Sequence, residues 1–185
     1  MTNNDILRRI RFALDQTDAQ MVEIFGTGGL TLTEAELLGY MGKTGEPGTV
    51  ECPDTALAAF LDGLIVQRRG PRKDGSPAPE APEQLTNNAV FKKLRIALSM
   101  HEKEVLSTMA AGGHKLSKGE LSALFRSPGH KNYRPCGDQI LRSFLGGLTR
   151  LRRSPKSRKP EAKKTPPVDA NPWGKAQPKT GKPKS

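Results

Sequence analysis

The feature that most constrains this chain is a stretch it carries twice. Residues 52–64 read C-P-D-T-A-L-A-A-F-L-D-G-L and residues 136–148 read C-G-D-Q-I-L-R-S-F-L-G-G-L, so both fit C-x-D-x-x-L-x-x-F-L-x-G-L. Leu57, Phe60, Leu61 and Leu64 fall at i, i+3, i+4 and i+7, the spacing of one buried helical face, and Leu141, Phe144, Leu145 and Leu148 repeat it. The copy extends further. An offset of 84 lays residues 2–71 on 86–155 without a gap, and 22 of the 70 pairs are identical. Average composition would give roughly four or five. A period this long marks a duplicated domain, not a solenoid unit.

Each copy predicts four helices and no sheet. Asn3 or Asn4 can cap a first helix running to about Leu14, with Ile6, Leu7, Ile10, Ala13 and Leu14 on its apolar face. Thr17 and Gln20 form a capping box for a second helix, which the Gly28-Gly29 pair ends. Thr33 with Glu36 is a capping box for a third, framed by Leu32 and Leu37 as a hydrophobic staple; Ser117, Glu120, Leu116 and Leu121 restate it. Asp54 and Asp138 are expected to cap the fourth helix, which ends near Arg69 in the first copy and Arg153 in the second. Gly63 and Gly147 interrupt its interior. An interior Gly costs about 1 kcal/mol against Ala, so both point to close helix packing.

The expected fold is therefore all-α: two tandem copies of a small four-helix domain at 1–70 and 86–153, joined by a Pro-rich linker over 71–85. A basic tail over 154–185 holds one aromatic, Trp173, and too little apolar surface to offset ordering entropy, so it is expected to be disordered. A domain near 70 residues buries only about 60% of its unfolded surface. Packing of the copies on each other would add burial, and if they do pack, an approximate two-fold would bring equivalent faces into contact, as in an isologous dimer.

No apolar run approaches the roughly 18 residues of a membrane span, and the first residues lack the basic and apolar regions of a signal peptide. The two cysteines, Cys52 and Cys136, occupy one equivalent position, which suits a reduced cytoplasmic protein better than a disulfide framework.

The segment T-N-N-D-I-L-R-R-I-R-F-A-L, the paired Gly after the second helix and the twofold C-x-D-x-x-L-x-x-F-L-x-G-L together resemble the YehS-like family. The resemblance covers roughly residues 2–153. It implies an all-helical duplicated fold in a bacterial cytoplasm, and it brings no catalytic residue to carry over. The chain departs from the family pattern at Asp62 and Gly146, where Asn is frequent, and its linker and long tail are its own.

Residue chemistry gives little support to catalysis. His101, His114 and His130 form no i, i+3 or i, i+4 pair with another His or Cys, whereas a metal site needs three or four converging ligands. Cys52 and Cys136 have no His recurring beside both, so small buried residues are expected there and not nucleophiles. Gly28-Gly29 lacks the spacing of a dinucleotide loop. No enzyme, metal or cofactor is expected.

Charge is the informative property because it is uneven. Residues 1–70 carry 6 cations against 10 anions, net −4, residues 86–153 carry 13 against 4, net +9, and residues 154–185 carry 9 against 2, net +7. One scaffold thus occurs in an acidic and a basic version. Neutralising phosphates is the commonest use of such a basic concentration. The candidate contacts to RNA or DNA are Lys92, Lys93, Arg95, Arg142, Arg150, Arg152 and Arg153, continued in the tail by Lys156, Arg158, Lys159, Lys163 and Lys164. Arg126, Lys131 and Arg134 add to the same half. Aromatic residues for base stacking are few, so the backbone is the expected target. The alternative is a protein-interaction module in which the helical copies form a groove or a pseudo-symmetric pair.

Overall fold

The computed structural model describes residues 1–71 and 84–153. Most of the Pro-rich linker and the whole tail, with Trp173, lie outside the described residues. Among those residues there are eight helices and no strand. They are α1 (Asn3–Leu14), α2 (Asp18–Thr27), α3 (Glu34–Met41), α4 (Asp54–Arg69), α5 (Asn87–Ala97), α6 (Glu102–Ala111), α7 (Lys118–Leu124) and α8 (Asp138–Arg152).

The short helices start where their capping chemistry places them. Thr17 with Gln20, Thr33 with Glu36 and Ser117 with Glu120 each close a reciprocal box, satisfying backbone donors that a helix start leaves unpaired. Four helix starts differ from the sequence expectation. The cap of α1 is Thr2, whose hydroxyl accepts from the Asp5 amide at 3.2 Å, and Thr86 caps α5 in the same way. Asn3 and Asn4 stand inside the first turn, and their amides reach across to the chain entering α4. Nor do Asp54 and Asp138 cap their helices. Pro53 and Gly137 take the cap positions and provide no side-chain bond. The two carboxylates are the first helical residues, where their charge still suits the helix dipole. Asp54 accepts from the Asn3 amide at 2.6 Å and from the Leu85 backbone at 2.8 Å. Asp138 accepts from the Asn87 amide and from the Met1 nitrogen, the equivalent position one repeat earlier. Those donors, Met1 first and Asn87 next, hold the Asp138 carboxyl below its usual range.

Within each copy the tightest contact is the second helix against the fourth. A side chain at Gly28 would collide with the Ala59 carbonyl, and one at Gly63 with the Ile24 carbonyl. Gly112 against Ser143 and Gly147 against Thr108 reproduce the crossing in the second copy. The interior glycines are therefore required by backbone-to-backbone approach. The residues after Gly28 and Gly112 are Gly29 and Gly113, at φ +89° and +85°, left-handed positions that glycine fills without strain. Aromatic rings pack beside each crossing, Phe25 with Phe60 at 5.1 Å and Phe91 with Phe144 at 4.3 Å between centroids.

The copies do not stand apart. Helix α1 runs along α8, and α5 runs along α4, so each copy lays its first helix on the other's last. Each of these contacts has its counterpart 84 positions away, which is the isologous pattern expected of an approximate two-fold. Buried Ile6, Leu7 and Ile10 join Phe91, Leu94 and Leu145 in one continuous core. Lys93 and Asp62 seal one side with an ion pair in which the side chains are only 20% and 16% exposed. The equivalent pair is Arg9 and Gly146, and there Arg9 lies exposed.

Two outcomes follow for stability. Gly147→Ala should unfold or severely weaken the chain, because the added carbon meets backbone; its helix-propensity gain of about 1 kcal/mol is smaller than the roughly 1–3 kcal/mol or more of overpacking. Gly146→Ala, one residue away and with open space around its added carbon, should instead raise the denaturation midpoint. Denaturant melts of both variants check the crossing directly. The second outcome concerns Glu120. Its hydrogen bonds from the Ser117 backbone and side chain, and then from Arg134, bring its carboxyl down from 4.5 to about 2. A depressed folded value means that this contribution is complete above pH 4.5 and is lost as pH falls toward about 2. Amide exchange at Leu121 should accelerate across that window, and Ser117→Ala should weaken the dependence without abolishing it, because the backbone donor and Arg134 remain.

Candidate nucleic-acid interface

The structure separates the sequence-predicted basic residues into those that hold the fold and those that face solvent. Lys93 is committed to Asp62 between the copies. Arg95 donates from Nε to the Met100 carbonyl at 3.2 Å and lies over the Phe125 ring, 4.9 Å from its centroid. Arg153 pairs with Asp15 of the first copy at 2.8 Å and stacks on Phe12 at 3.9 Å. Arg150 donates to the Ala111 carbonyl. Arg152 lies near Arg68, and crowding by protein atoms, then the Arg68 charge, lowers its guanidinium from the ordinary value. Arg142 is exposed on α8 near Asp138. Lys92 is exposed on α5. Lys156, Arg158, Lys159, Lys163 and Lys164 lie outside the described residues. Of the seven described cations, Lys92, Arg142, Arg150 and Arg152 are exposed, whereas Lys93, Arg95 and Arg153 are partly buried in contacts within the fold.

What the fold brings together instead is Lys92 and the loop between α7 and α8. Lys92, Arg126, Phe125 and Tyr133 line a cavity of about 220 Å³. The loop is built to hold one shape. His130 donates its backbone N–H to the Ser127 carbonyl at 2.9 Å, and Tyr133 donates to the His130 carbonyl at 2.8 Å. The Asn132 backbone donates to His130 Nδ1 at 3.0 Å, which places a neutral ring's proton on Nε2. Arg134 ties the far end of the loop to α7 through Glu120 at 2.9 Å. Lys131 is exposed at its tip.

Asn88 anchors this loop to α5. Its amide donates to the Leu124 and Arg134 carbonyls at 2.8 and 2.9 Å, and its oxygen accepts from the Cys136 backbone at 2.8 Å and the Tyr133 hydroxyl at 3.1 Å. Asn4 does the same in the first copy. It is buried, and it bonds the Tyr40 and Val50 carbonyls and the Cys52 backbone. A buried amide with all these partners fixes the loop in register with the helix. The sequence signal was present in the duplicated T-N-N, where helix capping was the wrong physical reading.

The same anchor carries loops of opposite character. In the first copy the segment 42–51 contains Lys43, Glu46 and Glu51, whereas 126–135 contains Arg126, Lys131 and Arg134 with no acid. Lys43 is engaged by Glu46 at 3.7 Å. The surface potential of the two otherwise matching loops is therefore inverted.

The cysteines sit beneath these loops. Both are buried and unpaired. Burial, and then the charge of Asp54 or Asp138, pushes the Cys52 thiol up to about 12 and the Cys136 thiol up to about 11. Neither carries thiolate at neutral pH, the form a nucleophile needs. Among the described residues no three His, Cys, Asp or Glu side chains converge as metal ligands, and no helix is long and apolar enough to cross a membrane.

Comparison with known proteins places the chain. The family described as "Protein of unknown function (DUF1456)" matches residues 3–70 and again 87–154, the two copies. "Uncharacterized protein YehS" of Escherichia coli (strain K12) is 40% identical over 148 residues, covering 80% of this chain and 94% of that protein. No solved structure matches. With both copies matched and identity sustained across most of its length, the chain belongs to the YehS-like family of tandem DUF1456 proteins.

Proposed function

We propose that this protein binds nucleic acid through its second copy, gripping the phosphate backbone of RNA or DNA, and that it acts by binding and not by catalysis, in the cytoplasm. The observation that carries the reading is the inverted loop. Two copies share their helix order and their asparagine anchor, yet only the second lines a cleft with Arg126 and an exposed Lys92 and carries an exposed Lys131 in the same loop. A preorganised loop with cations on its surface contacts phosphates without a large ordering cost. The tail cations Lys156, Arg158, Lys159, Lys163 and Lys164 extend the same charge along the chain. Few aromatic side chains are exposed, so sequence preference should be weak.

A protein partner is the second reading, and it has its own observation. Leu38 and Val50 are 56% and 55% exposed on the acidic copy, where the second copy has Ser122 and Arg134. The two readings use different faces and can hold together.

The test uses the full chain, because α1 and α8 of different copies pack on one another. Fluorescence titrations with labelled single-stranded RNA and duplex DNA at two salt concentrations should give affinity that falls steeply with salt, by about 0.7–0.9 in log K per log salt for each phosphate neutralised. Reversing Lys92, Arg126 and Lys131 to Glu should weaken all sequences alike and reduce the salt slope. Removing residues 154–185 should reduce it further. Arg95 is left unchanged because its stacking on Phe125 would confuse a loss of contact with a loss of fold. Affinity that ignored salt, or that survived the triple reversal together with tail removal, would leave the protein-interaction reading in its place.

A further inference from the structure

The two-fold relation also produces a pair of matching clefts where the copies meet, and their chemistry differs. The first cleft, about 520 Å³, is lined by Arg11, Asp15 and Arg153 among others. The second, about 460 Å³, is lined by Arg95, Ser99 and Arg69, the equivalents of those three, with His101 on its wall. The frames correspond closely. Arg11 Nε donates to the Gln16 carbonyl at 3.4 Å as Arg95 Nε donates to the Met100 carbonyl at 3.2 Å. Asp15 and Ser99 both adopt left-handed backbone, at φ 55° and 52°.

In the first cleft the chain supplies its own anions. Asp15 pairs with Arg153 at 2.8 Å, and Asp18 pairs with Arg11 at 2.7 Å. In the second cleft neither compensating contact occurs among the described residues. Ser99 stands where Asp15 would, and Arg69 reaches only the Ile96 carbonyl at 3.4 Å. Glu102 stands where Asp18 would, and it is turned to Lys118 at 3.4 Å. Glu104 bonds the His101 backbone at 2.6 Å. Two guanidinium groups, oriented by carbonyl contacts, thus line one cleft with no carboxylate paired to either among the described residues. The planar, permanently charged fork of arginine suits an oxyanion.

We propose that the second cleft is a binding site for a phosphate-class oxyanion, seated where the Asp15 carboxylate lies in the first cleft. Arg69 and Arg95 provide the charge and the Ser99 hydroxyl a further donor. The cleft exceeds a single phosphate in volume, so the ligand class extends to phosphomonoesters. The inference is independent of the loop surface described above, since none of these residues belongs to that loop.

The experiment is titration of the full chain with inorganic phosphate at low ionic strength, followed by calorimetry and by amide shifts of Ser99 and His101. One saturable site is expected. Ser99→Asp should abolish it, because the new carboxylate would pair with Arg69 as Asp15 does with Arg153. Asp tolerates left-handed backbone, so that variant should keep its thermal midpoint. Arg69→Gln should weaken phosphate by about tenfold, the value of a charged hydrogen bond. Asp15→Ser should open a second site in the first cleft. No saturation, or equal phosphate binding by the parent and a folded Ser99→Asp variant, would overturn the proposal. Displacement of phosphate by a nucleoside monophosphate but not by an oligonucleotide lacking a terminal phosphate would identify a free phosphomonoester as the occupant. Displacement by both would identify nucleic-acid backbone. The loop reversals leave this cleft intact, so failure there and failure here are distinguishable.

Discussion

The exchange of first and last helices between copies is the interaction on which the rest of this structure depends. A four-helix unit near 70 residues has little interior of its own. Here the apolar face of α1 is covered largely by α8, and that of α5 by α4, so neither copy completes its core without the other. Hydrophobic burial is the dominant favourable term in folding. The duplication is thus a single-chain version of an isologous dimer, and the ion pair of Lys93 with Asp62 belongs to that seam.

Much of this arrangement is legible in the sequence, for identifiable reasons. Helical periodicity and capping boxes are local, so Leu57, Phe60, Leu61 and Leu64, and Thr33 with Glu36, could be read directly. Gly63 and Gly147 were readable because an interior glycine is costly unless something close requires it. The misread residues are those whose partners are distant in sequence. Asn4 has the composition of a cap and is instead a buried anchor for a loop more than thirty residues away. Asp54 looks like a cap and instead receives donors from Asn3 and from Leu85 at the edge of the other copy. Lys93 counts as one more basic residue until Asp62 is seen opposite it. Charge counts reported the imbalance between copies correctly but could not say which cations the fold had already committed.

Duplication followed by divergence explains where function can reside. The helices and anchors are constrained in both copies, by the glycine crossings and by the asparagine anchors, Asn4 buried and Asn88 half-buried. The loops after α3 and α7 and the two clefts are less constrained, and these are the places where an acid in the first copy corresponds to an uncharged or basic residue in the second. Glu46 and Glu51 correspond to His130 and Pro135, and Asp15 corresponds to Ser99. Surface electrostatics can change in this way without cost to the core, since exposed charges contribute little to stability.

The most direct test of the account is to divide the chain within residues 72–83 and prepare residues 1–71 and 84–153 as separate polypeptides. If the exchange of α1 and α5 completes both cores, the mixed halves should assemble into a 1:1 complex with the helix content and cooperative melting of the intact chain. Alone, each should be poorly folded or self-associated, as native mass spectrometry and sedimentation would show. Two halves that each fold as stable monomers and remain apart when mixed would contradict it.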